Sequence, residues 1–174
     1  MKTSITVAEE GNRRKGSIST AEIEQCVLDI VTWFRGNTPC LEQAEPVESS
    51  EIQQMEKTLD AELPEGLALL FQQTNQGIWF YEKSLMNVQA IMKNAQDIGD
   101  GLLPIAKDVD DNFLVVDTNS PRAALYEWDA DSGKGSCVAT SFNAFLELFR
   151  NNLLSGKYEF IDDTGIVESY AGGK

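Results

Sequence analysis

The residues with the most chemical promise in this 174-residue chain are acidic, and they cluster in two short runs. Asp108, Asp110 and Asp111 stand in "DVDDN", and Asp129 opens "DADSG". Carboxylates at such spacing suggest calcium. A calcium loop of the helix–loop–helix type needs glycine at its sixth position and glutamate at its twelfth. Counted from Asp108, those positions hold Phe113 and Asn119; counted from Asp129, they hold Lys134 and Thr140. Both runs fail the test, so no metal is expected. Their composition is that of solvated hairpin turns, in which Asp bonds its own backbone. Together with Asp117 and Glu127 they are expected to form an acidic patch at one end of a sheet, suited to a basic protein partner.

Other chemistries lack their residues. The chain contains no histidine, which removes Ser-His-Asp and Cys-His nucleophile arrangements and the HExxH zinc site. The GxSxG nucleophile elbow is absent. Acidic residues are plentiful, but no spacing singles out a carboxylate pair for glycoside hydrolysis. "GNRRKGS" at 11–17 imitates a phosphate loop, yet Gly16 is followed directly by Ser17, with no lysine between them. Arg14 lies three residues before Ser17, a basic context that some kinases read, so a phosphate there would switch a tail contact. Cys26, Cys40 and Cys137 form no CxxC pair, and Cys26 falls on an apolar helical face as a small core residue. No catalytic set emerges. A binding protein without a cofactor is expected, not an enzyme.

Charge narrows the partners. The 28 acidic residues against 14 basic ones give a net charge of −14. Such a surface repels nucleic-acid phosphates and anionic membranes and attracts basic proteins, although acidity also serves simply to keep proteins apart in solution. No run of 18 apolar residues and no secretory leader are seen. The scattered cysteines suit a reducing compartment, so the expected location is cytoplasmic.

The elements that must position these residues follow from periodicity. Residues 1–18 are polar, with a basic cluster, and read as a flexible tail; residues 171–174 read as a flexible end. A single domain is expected over 19–170. Ser19 and Glu22 have capping-box spacing, and Ile23, Cys26, Val27, Ile30, Val31 and Phe34 repeat at helical spacing up to Gly36. A linker with two prolines leads to a second helix, for which Ser50 and Gln53 are the expected cap. Pro64 is placed at the first position of a third helix with Leu67, Leu70 and Phe71 inward, and Gly77 ends it. Trp79, Phe80 and Tyr81 then read as a strand, of which Trp79 or Tyr81 is a candidate partner anchor. A short helix with Val88, Ile91, Met92 and Ala95 follows. "LLPIAKD" is expected to be a short or edge strand because of its proline. "NFLVVDT", "AALYEWD" and "CVAT" read as further strands. A closing helix has Ser141 as its cap and Phe142, Phe145, Leu148 and Phe149 inward, stopped by Gly156. The remaining "KYEFIDDTGIVESY" adds a short strand or helix. The fold class is therefore α+β: N-terminal helices, a mostly antiparallel meandering sheet and a closing helix.

The chain reads "IQQMEKTLDAELPEGLALLFQQTNQG", then "LLPIAKDVDDNFLVVDT", then "CVATSFNAFLELF". In order and spacing these pieces resemble the SUKH superfamily, the Smi/Knr family of cell-wall synthesis regulators, over residues 48–154. Leu63-Pro64 and the Asn75–Gly77 turn correspond to the family's helix start and exit; Gln76 departs from the Asn-Gly that members often have. The resemblance implies an α+β fold without an established active site. It also implies a binding role, as a regulator or adaptor in a protein complex or, alternatively, as an immunity protein that neutralises a basic, nuclease-type toxin. Sheet edges in such a fold can pair, so a monomer or a homodimer is expected.

Overall fold

The computed structural model describes residues 20–169. The tail, Ser17 and the Ser19 half of the first capping box lie outside them, as do residues 170–174. Helix α1 (Thr20–Asn37) leads through a proline-containing linker to α2 (Ser49–Leu59) and α3 (Glu65–Gln73). Strands β1 (Trp79–Phe80) and β2 (Lys83–Leu85) form a tight hairpin before α4 (Val88–Ile98). Four strands follow in succession: β3 (Leu102–Lys107), β4 (Phe113–Asp117), β5 (Leu125–Asp129) and β6 (Gly133–Ala139). Helix α5 (Phe142–Leu154) then precedes a second hairpin, β7 (Tyr158–Ile161) and β8 (Gly165–Glu168). The six-stranded sheet runs β1 to β6 in sequence order, each pair antiparallel. The fold is α+β, as the periodicity implied.

The helices carry the inward stripes that their spacing dictates. On α1, Ile23, Cys26, Val27, Ile30, Val31 and Phe34 are all buried. Burial pushes the Cys26 thiol up to about 11, with lesser opposing and reinforcing effects from Arg150, Glu147 and Asp29, so it is a neutral core group at pH 7. On α5 the buried residues are Phe142, Phe145, Leu146, Phe149 and Leu153. Leu148, expected to face inward, is 61% exposed. At 100° per residue the stripe begun at Phe142 runs through positions three, four, seven and eleven further on, and Leu148 stands six on, off that face. The Ser141 side chain caps α5 by accepting from Ala144 N at 3.0 Å.

Three local expectations shift. Glu48, not Ser50, sits at the N-cap of α2, and without a side-chain cap bond. Pro64 is the N-cap of α3 instead of its first helical residue; its carbonyl accepts from Leu67 N and Ala68 N. The strand containing Pro104 is central, between β2 and β4, not an edge. It tolerates proline because β2 pairs only with Ala106 and Lys107, and the β3–β4 register slips between Pro104 and Ala106.

The turn after α3 is held by tertiary contact. The helix ends at Thr74, and the φ of Gly77 is +98°. A side chain at Gly77 would meet Cys40 O and Leu41 Cδ2 at 2.5 Å, so glycine is required on both counts. Asn75 Oδ1 accepts from Glu45 N, and buried Thr74 Oγ1 accepts from Gln76 N. The turn therefore clamps the linker, and Gln76 fits without a positive φ.

One cluster joins the layers. Phe80 is 1% exposed and meets Phe142, Phe145 and Phe149 edge-on at 5.3–6.4 Å. Phe149 in turn meets Phe34 of α1 and Tyr81. Replacing Phe149 by Ala is expected to cost about 3–5 kcal/mol, whereas Leu148→Ala should stay within about 0.5 kcal/mol. Urea unfolding midpoints of the two variants measure the contrast.

Candidate functional site

The antiparallel meander decides which turns share an end. Trp79 pairs with Ser84, Ser84 with Lys107, and Phe113 with Trp128. The β1–β2 turn, the β3–β4 turn and the β5–β6 turn therefore project from one end of the sheet. The β7–β8 turn joins them, because Ile166 N donates to Tyr81 O at 3.0 Å beside the β1–β2 turn. A Cβ on Gly165 would run into Tyr81 O, so the hairpin seats there only with glycine, whose φ is +109°. The four tips carry Glu82; Asp108, Asp110 and Asp111; Asp129 and Asp131; Asp162 and Asp163. At ~4.8 Å per strand, successive tips of the sheet stand about 10 Å apart.

Within this row the carboxylates divide into two kinds. Asp108 builds its turn: Oδ1 accepts from Asp110 N at 2.9 Å and Asn112 N at 3.0 Å, and Oδ2 accepts from the Asn112 side chain. Burial acts to raise its pKa, but the N–H groups of Asn112 and Asp110, the Asn112 amide and the Lys83 charge outweigh it. The net effect is to hold it below its ordinary 3.8. Asp129 Oδ1 accepts from Asp131 N and Ser132 N in the same manner. Asp111 has a positive φ and accepts from Lys107 Nζ at 3.0 Å. Asp110, Asp131, Asp162 and Asp163 are exposed, with no ion-pair partner among the described residues. Val109, between two aspartates, is 88% exposed.

Lys83 pins two tips together. Its side chain is only 8% exposed, and Nζ lies 2.6 Å from Glu82 Oε2 and 3.8 Å from Asp108 Oδ2. A charge this enclosed is retained only with partners, and both come from adjacent turns.

The remaining sequence candidates are placed elsewhere. Asp117 ends β4 at the opposite end of the sheet, where Oδ1 accepts from Asn119 N to shape the β4–β5 loop. Glu127 is exposed in mid-strand on β5, paired with Leu114. Trp79 and Tyr81 are half-buried under the β7–β8 hairpin, Trp79 against Phe160 and Tyr81 against Tyr158. Tyr81 OH accepts from Asn152 Nδ2 at 2.8 Å; burial raises the phenol pKa against that bond, with Tyr158 adding to the rise. Glu82, Asp131, Asp162 and Asp163 were not singled out from sequence. Their signal was turn composition; strand register aligns Glu82 and Asp131, and the docking of Ile166 on Tyr81 brings Asp162 and Asp163 beside them.

Residues 46–148, more than half of the chain, match the SMI1/KNR4 family (SUKH-1). The chain belongs to that family. No curated protein matches it. In this SMI1/KNR4 member the matched region runs from the linker before α2 into α5, so it contains the whole six-stranded sheet and three of its four acidic tips. The fourth tip and all of α1 lie outside the match. Among the described residues no helix is long and apolar enough to cross a membrane.

The turn-building role of Asp108 predicts a pH-dependent stability. Asp108→Ala should cost about 1–3 kcal/mol at pH 7. With a folded pKa below 3.8, the charge-linked part is fully present above about pH 4 and is lost as pH falls through the folded value. Urea unfolding of both proteins at pH 7, 5 and 3 should show an unchanged gap between the first two and a smaller one at the third.

Proposed function

We propose that this SUKH-type chain is a protein-binding module, not an enzyme, and that it presents the acidic end of its sheet to a basic partner as a regulator or adaptor in a protein complex. The observation that carries this reading is the alignment of four carboxylate-bearing hairpin tips on one end of a rigid scaffold. Half of the carboxylates there are consumed in shaping turns or pairing lysines, and the outward ones remain to meet a partner. Exposed Val109 adds an apolar contact at the centre of one tip. Such a surface raises the encounter rate with a basic protein and sets register more than it adds raw affinity.

Neutralisation of a basic, nuclease-type toxin is the second reading, favoured by the net charge of −14. The two differ in what they demand of the surface. An immunity protein takes one dominant basic partner and protects cells that express it. An adaptor sits among several proteins and keeps them at moderate salt.

A tagged full-length chain, used for capture from its native cells at low and moderate salt, tests both. Changing Asp110, Asp131 and Asp163 to Asn leaves the turn-building carboxylates intact. For the captured partner, this variant is expected to lower the association rate at low salt by about tenfold, with a smaller effect at moderate salt. A partner set that is the same with and without these charges removes the acidic end from the reading.

A further inference from the structure

The end of the sheet opposite the acidic tips holds a cleft of about 470 Å³, within the size range of binding sites. Its walls are the start of α3, the β4–β5 loop and the start of α5. The floor is apolar, with Leu63, Val116 and Phe142 buried. A second hollow of about 260 Å³ lies beside it, between the ends of α2 and α4 and the start of β3. Thr118 lines both, and Ala61 of the second directly precedes Glu62 of the first. Among the described residues the two run on as one open trough. The acidic tips play no part in it.

The walls are fixed in advance. Thr118 N and Oγ1 both donate to Gly101 O, at 2.9 and 2.7 Å, and Phe142 N donates to Arg122 O at 3.2 Å. These bonds tie the β4–β5 loop to the start of β3 and the start of α5. They hold Ala123 of the loop at a φ of +59°, a left-handed conformation that is strained for a residue with a side chain. A site shaped in this way spends little on ordering when it is filled.

Its polar groups are divided between the walls. Ser141, 6% exposed, accepts from Ala144 N, and Ser120 accepts from Ala124 N. Neither hydroxyl proton is donated to an acceptor among the described residues, so each is left to be given to something in the cleft. Arg122 is exposed on the same wall. On the α3 side Glu62 is exposed. Glu62 and Arg122 line one cleft with opposite charges, yet neither forms an ion pair among the described residues.

We propose that this trough docks an extended segment of a partner protein in which an apolar residue stands between an acidic and a basic one. The apolar side chain covers the Leu63, Val116 and Phe142 floor. The acidic residue meets Arg122 and the basic one meets Glu62. Backbone carbonyls of the segment accept the hydroxyl protons of Ser120 and Ser141, and a second apolar side chain beyond the basic residue enters the smaller hollow past Thr118. An extended chain supplies carbonyls at regular intervals and fills both hollows, whereas a compact solute fills one.

Random octapeptides displayed on phage and selected against the immobilised full chain test this. The enriched peptides are expected to share the acidic, apolar, basic order. Synthetic copies should move the amide resonances of Thr118, Ala123 and Asn143 in the ¹⁵N-labelled chain and leave those of Asp110 and Asp131 in place. Glu62→Lys and Arg122→Glu, both at exposed positions, should each weaken these peptides about tenfold. Selection against the Arg122→Glu chain should return peptides with a basic residue in place of the acidic one, an exchange that a merely structural role of Arg122 does not produce. Absence of a shared order overturns the proposal, as does affinity indifferent to both substitutions. Binding that is lost when Asp110, Asp131 and Asp163 are changed to Asn, with the cleft amides unmoved, assigns the peptides to the acidic tips; it overturns the trough and leaves the proposed function standing.

Discussion

The structure depends on the seating of Phe80. Strand β1 has two residues and forms a hairpin with three-residue β2, far too little backbone pairing to persist alone. What holds it is a phenylalanine inserted edge-on among three others of α5, each such pair worth roughly 0.5–1.5 kcal/mol beyond the area it buries. Through Phe149 and Phe34 the same cluster reaches α1. The next residue, Tyr81, offers the carbonyl on which the β7–β8 hairpin docks and the hydroxyl that Asn152 binds. Sheet, helical layer and C-terminal hairpin thus meet at one short segment.

From that anchor the meander distributes chemistry to two ends. Antiparallel neighbours send alternate turns in opposite directions, so the tips between β1 and β2, β3 and β4, and β5 and β6 gather at one end. The longer connections gather at the other, where the β4–β5 loop shapes a cleft against the starts of α3 and α5. Acidic tips at one end and a mixed cleft at the other give one scaffold two chemically distinct ends.

The acidic end also shows how a charged surface is made compatible with tight turns. Asp108 and Asp129 spend their oxygens on backbone N–H groups, which lets each turn close without glycine at every bend. Lys83, nearly enclosed, sits between Glu82 and Asp108 and relieves repulsion between two neighbouring tips. Repulsion among the outward carboxylates remains. The buried aromatic cluster, not the surface, supplies the stability that tolerates it.

Periodicity alone determined the helices and most of their buried faces, because a helix repeats every 3.6 residues and α1 displays six buried residues on that repeat. Turn composition marked the Asp-rich hairpins, and the motif order marked the family. Tertiary structure decided the rest. Pro104 lies in a central strand because β2 stops short of it and a bulge absorbs the register, neither of which is written locally. Gly77 is required by the approach of Cys40 and Leu41 from a distant linker. Asp117 leaves the acidic end, and Asp162 and Asp163 join it, because strand register and the docking of Ile166 on Tyr81 set which turns are neighbours. Local sequence encodes the period and chemistry of each element. Which ends and faces meet depends on pairing between residues far apart in the chain, and that is settled only when the core packs.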